Sequence, residues 1–358
     1  MITDIKRHKT RTIKIGRVLI GSRHPIAIQS MLKTSTKGVV AAVGQIKSLE
    51  SVGCEVVRLA IEDQKDAAAL KRIRREVDIP LVADIHFNYR LALAAIDAGV
   101  DKVRLNPGNI FKPVEVRQVI AAAKSARIPI RIGANSGSVR KGSEDVARNL
   151  VQSVRAYLKI FEKENFHDIV ISLKASTIPE TIAAYRQMAR VCDYPLHVGI
   201  TATGLPLDGL VKSSAGIGIL LFGGIGDTIR VSLLDDPRQE VLAAQRLLSG
   251  LGLRDFGPQW ICCPTCGRCE VDLKQKAQSL ACEIQRLKPE ERARIKDLKI
   301  AVMGCVVNGP GEAREADLGV AFSKHKGILF RHGKIVGTVP LASGEKALFD
   351  LLRREAKP

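Results

Sequence analysis

Short apolar runs alternate with helix-like segments eight times over about the first 250 of the 358 residues, and this alternation restricts the fold more than any other feature. The predicted strands cover residues 25–29, 56–59, 81–84, 102–105, 130–132, 169–173, 196–200 and 228–231. The intervening segments carry apolar residues at helical spacing, as at Ala92, Ala95 and Ile96. The sequence therefore predicts an α/β fold with a TIM-like (βα)8 barrel. A doubly wound sheet is the alternative, but no GxGxxG follows the first strand and no Walker A sequence occurs.

The rest of the chain predicts a second domain. The length exceeds that of a usual single domain, so we expect a barrel over residues 1–255 and a smaller domain over residues 256–358. A polar helical stretch over residues 272–295 is interrupted at Pro289. A strand at residues 298–303 and alternating runs at 319–322, 327–330 and 334–339 predict a small sheet, followed by a helix at 344–355. This pattern is typical of an α+β domain.

Polar side chains stand where the predicted barrel strands end, which is the face on which such barrels carry their active sites. They are Gln29, Arg58, Asp84, His86, Arg104, Asn106, Arg131, Asn135, Lys174 and Arg230. Five of the ten are cationic, and cations directed at one rim repel one another unless an anion lies between them. A diphosphate fits, because guanidinium groups match its oxygens and lysine adds a point charge. Asp84 and His86 are either a hydrogen-bonded pair or an acid–base element beside the substrate.

A cysteine cluster indicates a metal site in the second domain. Cys263 and Cys266 have CxxC spacing, and Cys305 follows 39 residues later. With Glu312, seven residues further on, they could fill four positions around iron. Zinc is the less favoured alternative, because no second CxxC or HxxxH pair follows at finger or ribbon spacing. By spacing alone Cys269 competes with Cys305, since it completes a CxxCxxC run.

Composition indicates the compartment and limits the partners. Five of the eight cysteines, Cys262 and Cys282 included, fall within 21 positions, and the N-terminus does not resemble a signal peptide. In a reducing cytosol such thiols are metal ligands rather than disulfides, so we expect a cytoplasmic protein. No run of 18 apolar residues predicts a membrane span.

A net charge of +19 leaves a basic, zinc-stabilised RNA-binding protein as the non-enzymatic alternative. An aromatic content of 4% and the lack of any run of five basic residues argue against nucleic acid as a partner. Much of the positive charge is expected to lie on solvated helix faces instead.

Four motifs, taken together, resemble those of the 4-hydroxy-3-methylbut-2-en-1-yl diphosphate synthase family. They are Leu81-Val82-Ala83-Asp84-Ile85-His86-Phe87, Arg104-Leu105-Asn106-Pro107-Gly108-Asn109-Ile110, Cys263-Pro264-Thr265-Cys266 and Gly304-Cys305-Val306-Val307-Asn308-Gly309-Pro310-Gly311-Glu312. The resemblance covers nearly the whole chain in the same order. It implies a TIM-like barrel joined to an iron–sulfur domain, in the compact bacterial form.

The resemblance also implies the cofactor, the reaction and the partners. It assigns a [4Fe-4S] cluster to Cys263, Cys266, Cys305 and Glu312, and so excludes Cys269. The implied reaction is reductive ring opening and dehydration of 2-C-methyl-D-erythritol 2,4-cyclodiphosphate to 4-hydroxy-3-methylbut-2-enyl diphosphate, in isoprenoid biosynthesis. Reduced flavodoxin or ferredoxin would supply the electrons to a homodimer. The substrate-binding residues that it implies are Arg58, Arg104, Asn106, Arg131, Asn135, Lys174 and Asn308. Another barrel enzyme on a phosphorylated substrate, with a structural cluster, is the enzymatic alternative.

Two segments depart from the family pattern. Family members commonly carry a glutamate after the seventh strand, where this chain reads Thr201-Ala202-Thr203-Gly204, and alanine cannot donate a proton. We therefore expect Asp84, His86 or a released Glu312 to protonate the leaving hydroxyl. The segment Ser30-Met31-Leu32-Lys33-Thr34 also differs from the usual Ser-Met-Thr-Asn-Thr, which puts its substrate contacts in doubt.

Overall fold

The computed structural model describes residues 5–138, 143–201, 204–305 and 314–355. The chain forms two compact units, Met1–Arg254 and Asp255–Pro358. Across the described ranges, no helix has the length and apolar character needed to cross a membrane. The predictions made for Ala202, Asn308 and Glu312 lie outside the described residues.

A short hairpin precedes the barrel. Strands β1 (Ile13–Ile15) and β2 (Val18–Ile20) pair antiparallel, and Gly16 has a φ of +54° in the turn between them. The buried side chains of the hairpin pack on residues at the amino-terminal ends of barrel strands, namely Ala27, Val56, Val82 and Val170. The hairpin therefore closes the end of the barrel opposite the predicted site. We did not predict it, because alternation over three residues is too short to distinguish a strand.

Eight parallel strands with intervening helices form the barrel. The strands are β3 (Ala27–Met31), β4 (Val56–Ile61), β5 (Leu81–Ile85), β6 (Lys102–Leu105), β7 (Ile130–Asn135), β8 (Ile169–Lys174), β9 (His197–Val198) and β10 (Thr228–Ile229). The helices are α1 (Val39–Ser51), α2 (Gln64–Glu76), α3 (Tyr89–Asp97), α4 (Pro113–Ala126), α5 (Val146–Lys163), α6 (Ile178–Ala189), α7 (Pro206–Phe222) and α8 (Pro237–Gly250). The strand order is β8-β7-β6-β5-β4-β3-β10-β9, and a parallel bridge from Ile171 to Leu196 joins its two ends. The predicted TIM-like barrel is confirmed.

Each of the eight predicted strands is present, although β9 and β10 are shorter than expected. The ladder ends at Gly199, where a Cβ atom would lie 2.8 Å from the carbonyl oxygen of Arg230. Only glycine permits this close approach of two backbones. Local caps fix where helices begin: Asp63 and Thr177 each form a capping box, at α2 and α6.

The second unit is a mixed sheet with helices. Its elements are β11 (Gln259–Cys262), α9 (Leu273–Gln285), α10 (Pro289–Arg294), β12 (Lys299–Met303), β13 (Leu318–Phe322), β14 (Lys326–Arg331), β15 (Lys334–Pro340) and α11 (Gly344–Glu355). The first three strands pair in parallel and the last three antiparallel. Leu280, Val320 and Leu352 belong to the core between sheet and helices. The predicted α+β class is confirmed, and Pro289 begins a new helix; β11 was not predicted.

Candidate active site

Asp84 is the centre of a buried ion-pair network in the barrel. It lies near the carboxyl end of β5 and is fully buried. Its carboxylate accepts hydrogen bonds from Arg58 at 2.5 Å, His86 at 3.0 Å and Arg104 at 3.3 Å. Burial alone would raise the pKa of Asp84, but Arg58, His86 and Arg104 outweigh it and hold that pKa well below the ordinary value. Asp84 is therefore ionised and a poor proton donor.

His86 is the more accessible member of the predicted acid–base pair. Its side chain is 51% exposed, whereas that of Asp84 is 0% exposed. The hydrogen bond from Nε2 to Asp84 fixes the orientation of the ring. The structure thus has Asp84 and His86 as a hydrogen-bonded pair, in which only the histidine is open to a ligand or to solvent.

The cations predicted at the strand ends come together inside the barrel. Arg104, Arg131 and Lys174 are buried, and the side chain of Arg58 is 12% exposed. Burial first, and then Arg58 and Arg104, lower the pKa of Arg131 well below its ordinary value. Burial, Arg230 and Arg131 have the same effect on the pKa of Lys174. This crowding of like charge favours a bound anion.

Several donors in this cluster remain available. Within the described part of the chain, Nε and Nη1 of Arg131 and Nε of Arg104 have no hydrogen-bond partner. Arg104 donates through Nη2 to the carbonyl oxygen of Gly133 at 2.8 Å. A Cβ atom at Gly133 would lie 2.6 Å from Nε of Arg104, so glycine is required beside this guanidinium.

The predicted neutral donors have different surroundings. Asn106 is buried and donates to Ser138 Oγ at 3.0 Å, while its oxygen accepts from the Gly108 amide at 3.1 Å. Its amide therefore holds the loop after β6. With its amide oxygen turned toward Arg104, Asn135 accepts a hydrogen bond from Arg104 Nη2 at 3.3 Å. Asn135 thus lies within the cationic cluster, whereas much of the bonding capacity of Asn106 is used locally.

Glu240 is a buried charged residue between α8 and the barrel strands that sequence reasoning missed. It lies in the first turn of α8, and its side chain is 1% exposed. Its carboxylate is 3.5 Å from Arg230 Nε and 3.1 Å from Lys33 Nζ, and it accepts from Ser30 Oγ at 3.1 Å. Lys33 also donates to the carbonyl oxygen of Leu233 at 2.6 Å. The unusual Lys33 therefore ties the loop after β3 to the loop before α8. No local motif identifies Glu240 as a residue of the site. Its contacts are evident only once α8 is packed on the barrel.

The second unit places thiols at one edge of its sheet. β11 pairs with β12 so that Cys262 is opposite Val302; Cys263 follows directly, and Cys305 comes two residues after β12 ends. The Gly304 amide donates to Cys263 Sγ at 3.4 Å. Cys266 is exposed, and all eight cysteines are free thiols.

These residues have the chemistry that a thiolate-bound metal group requires. Sulfur donors at one sheet edge, held by a backbone amide, suit iron–sulfur clusters. Among the residues that the structure describes, no three His, Cys, Asp or Glu side chains already form a metal-binding group. Cys269 lies at the same edge, because a Cβ atom at Gly304 would lie 2.5 Å from its Sγ. Burial raises the pKa of Cys54 to about 12 and that of Cys192 to about 11, so neither supplies a thiolate.

Fold and site together define a class of protein: a closed barrel with a cationic interior, joined to a thiol-bearing α+β domain. Residues 10–245 match the family model described as the GcpE TIM-barrel domain. Residues 259–354 match the GcpE protein C-terminal domain. The chain belongs to the GcpE family.

Two similar curated relatives carry the name 4-hydroxy-3-methylbut-2-en-1-yl diphosphate synthase (flavodoxin). A relative from Dehalococcoides mccartyi is 50% identical over 98% of this chain and 99% of its own length. One from Thermodesulfovibrio yellowstonii is 48% identical over 98% of this chain and 100% of its own length. The resemblance drawn from the four motifs is confirmed, and none of these matches supports the RNA-binding alternative.

A solved structure shares the fold over about two thirds of the chain. Dihydropteroate synthase from Stenotrophomonas maltophilia has a TM-score of 0.54 at 13% identity, over 68% of this chain and 98% of its own. Identity this low shows a shared fold and carries no functional argument.

Proposed function

We propose that this chain catalyses the reductive ring opening and dehydration of 2-C-methyl-D-erythritol 2,4-cyclodiphosphate to 4-hydroxy-3-methylbut-2-enyl diphosphate. The name shared by its relatives supports this reaction and indicates flavodoxin as the electron donor, with ferredoxin as the alternative. The reducing conditions of the cytoplasm suit a chain with eight free thiols.

The observation that carries this proposal is the excess of cations inside the barrel. Five cationic side chains, those of Arg58, Arg104, Arg131, Lys174 and Arg230, lie together, and the buried carboxylates paired with them are those of Asp84 and Glu240. A cyclic diphosphate bears two negative charges, so it would neutralise much of the excess. The free donors of Arg131 and Arg104 are the groups we assign to its oxygens, with Lys174 and Asn135 beside them.

We assign the cluster to Cys263, Cys266, Cys305 and Glu312. A [4Fe-4S] group held there would supply electrons singly, together with a Lewis-acidic iron. The amide of Gly304 would orient the sulfur of Cys263 through the hydrogen bond between them. Asn308, close to Cys305 in sequence, is the residue that we assign to substrate contact beside the cluster.

The chain's own acid–base groups then have different roles. Asp84 orients Arg58, Arg104 and His86 and stays ionised, so it positions rather than donates. His86 is our first choice to deliver the proton that the leaving hydroxyl requires, since Ala202 cannot; a released Glu312 is the alternative.

We further propose a homodimer in which the barrel of one chain works with the cluster domain of the other. Exposed apolar side chains along α7, namely Leu207, Val211 and Phe222, are available for such an association. Mixing a Cys305→Ala chain with an Arg104→Ala chain tests this arrangement. A dimer of the proposed kind regains activity in the mixture, whereas the absence of regained activity would contradict it.

The test of the function is anaerobic purification, iron and sulfide analysis, and turnover of the cyclic diphosphate with reduced flavodoxin. We expect stoichiometric [4Fe-4S] cluster and turnover that Arg104→Gln abolishes. Arg117→Gln, on the exposed face of α4, is the matched control and keeps full activity. Zinc in place of iron, with no turnover after cluster reconstitution, would refute the proposal.

A further inference from the structure

A layer of buried polar side chains lies inside the barrel below the proposed diphosphate site. Barrel interiors of this fold are mostly filled by Val, Ile and Leu. Here Gln29, Lys102 and His197 point inward from β3, β6 and β9, and all are buried. Within the described part of the chain, both amide atoms of Gln29, Nζ of Lys102 and Nε2 of His197 lack a hydrogen-bond partner. Burying polar groups without hydrogen-bond partners costs free energy, so we expect this layer to have a function.

Lys102 is the most exceptional member of the layer. Its side chain is 0% exposed, and it precedes Arg104 by two residues, so both point to the same side of β6. The register places Lys102 opposite Val82 and Arg104 opposite Asp84, which puts the lysine one layer nearer the closed end of the barrel.

The charged groups around Lys102 are mainly cations. The charged or titratable side chains of the surrounding strands are Arg58 on β4, Asp84 on β5, Arg104 on β6, Arg131 on β7, Lys174 on β8, His197 on β9 and, directly after β10, Arg230. The one carboxylate among them, Asp84, is already bonded to Arg58, Arg104 and His86. Burial, followed by Arg131 and Arg58, lowers the pKa of Lys102 well below its ordinary value. A protonated Lys102 would thus be an unpaired charge beside other cations.

We propose that Lys102 is neutral in the ligand-free barrel and takes up a proton from solvent when a diphosphate binds, so that anion binding is coupled to protonation of this lysine. The inference rests on the proposed function. A dianion held by Arg104 and Arg131 opposes the local positive potential that disfavours the ammonium form. Because lysine starts from an ordinary pKa of about 10.4 and histidine from about 6.5, the same field protonates Lys102 before His197.

The proton balance is simple, because the ligand does not titrate near neutral pH. Each phosphorus of the cyclic diphosphate carries a single, strongly acidic oxygen, which stays ionised. One proton passes from the buffer to Nζ of Lys102 for each ligand bound. Linkage then makes binding weaker as pH rises, by up to tenfold per pH unit between the pKa values of the free and the bound states.

The test is calorimetric titration of the anaerobically purified full-length chain with the cyclic diphosphate. Titrations in two buffers of different ionisation enthalpy, at the same pH, give the number of protons taken up. We expect proton uptake by the wild type, uptake by Lys102→Met that is smaller by up to one proton per chain, and wild-type uptake by His197→Gln. Methionine is also unbranched and flexible, so Lys102→Met should fold and melt at or above the wild-type temperature.

Each outcome decides the matter. Binding of the wild type without proton uptake, or undiminished uptake by Lys102→Met, would overturn the inference while leaving the proposed function intact. Should Lys102→Met fail to fold, Lys102→Leu replaces it, and the wild-type titration remains decisive by itself when no uptake is seen. If the cyclic diphosphate does not bind, the proposed function fails, and trimetaphosphate, which is also fully ionised, becomes the probe of uptake. A barrel that binds neither anion would overturn both.

Discussion

Replacing Asp84 by asparagine removes the one negative charge that holds Arg58, Arg104 and His86 together. The carboxylate is fully buried and the side chain of Arg104 is 4% exposed, so solvent cannot compensate the stranded guanidinium. Breaking a buried ion pair by removing one partner costs about 3–5 kcal/mol. With a urea slope of about 3 kcal/mol per M, the unfolding midpoint of the barrel should fall by about 1 M or more.

The chain contains spectroscopic probes that separate the two units. All four tyrosines, Tyr89, Tyr157, Tyr185 and Tyr194, belong to the first unit, and the single tryptophan, Trp260, belongs to the second. Urea unfolding followed by tyrosine signals should therefore shift in Asp84→Asn. Unfolding followed by Trp260 fluorescence should not.

The pH dependence provides a second measure of the same interaction. Because the pKa of Asp84 is depressed in the folded chain, its stabilisation is complete above the unfolded-state value of 3.8. It is lost as pH falls below that value toward the folded-state pKa. The difference between wild type and Asp84→Asn should therefore be constant from neutral pH to about pH 5, and shrink in stronger acid.

Asp227 is the matched control, since it is also buried but has the opposite pKa shift. Burial raises the pKa of Asp227, against the hydrogen bonds from the Leu196 amide, Arg7 and Thr10. Its neutral form is thus tolerated, and Asp227→Asn should destabilise the barrel less at neutral pH than Asp84→Asn does. Equal losses in the two variants, or a tyrosine-detected midpoint unchanged in Asp84→Asn, would refute this account of Asp84.

Three further predictions concern neighbouring features. Gly133→Ala places a methyl group against Arg104, so affinity for the cyclic diphosphate should fall about tenfold or more, about 1.4 kcal/mol, in calorimetric titration. Glu240→Gln leaves the largely buried Arg230, and also Lys33, without their carboxylate and should destabilise the barrel by about 3 kcal/mol in urea unfolding. Cys305→Ala should purify without its iron, whereas Cys282→Ala, which changes an exposed thiol, should keep it; equal iron contents would contradict the assignment.

Local pattern was sufficient to predict most of the architecture. A strand such as Leu81–Ile85 is an unbroken apolar run apart from Asp84, and the helices between strands have clear periodicity and caps. Strands β1, β2 and β11 were not predicted, in part because strands of three or four residues carry little periodic signal. Their stability comes from packing, which becomes visible only in three dimensions.

The amino-acid sequence by itself determined which side chains occupy the rim, since parallel strands bring their carboxyl ends to the same face of a barrel. Arg58, Arg104, Arg131 and Lys174 could be named on that basis. Tertiary structure alone decided how they are paired. Asp84 is a hydrogen-bond acceptor shared by several donors rather than a proton donor. Glu240 and Lys33 form an ion pair although about 200 residues separate them in the sequence. Burial and electrostatic pairing depend on distances between elements, which no local stretch of sequence encodes.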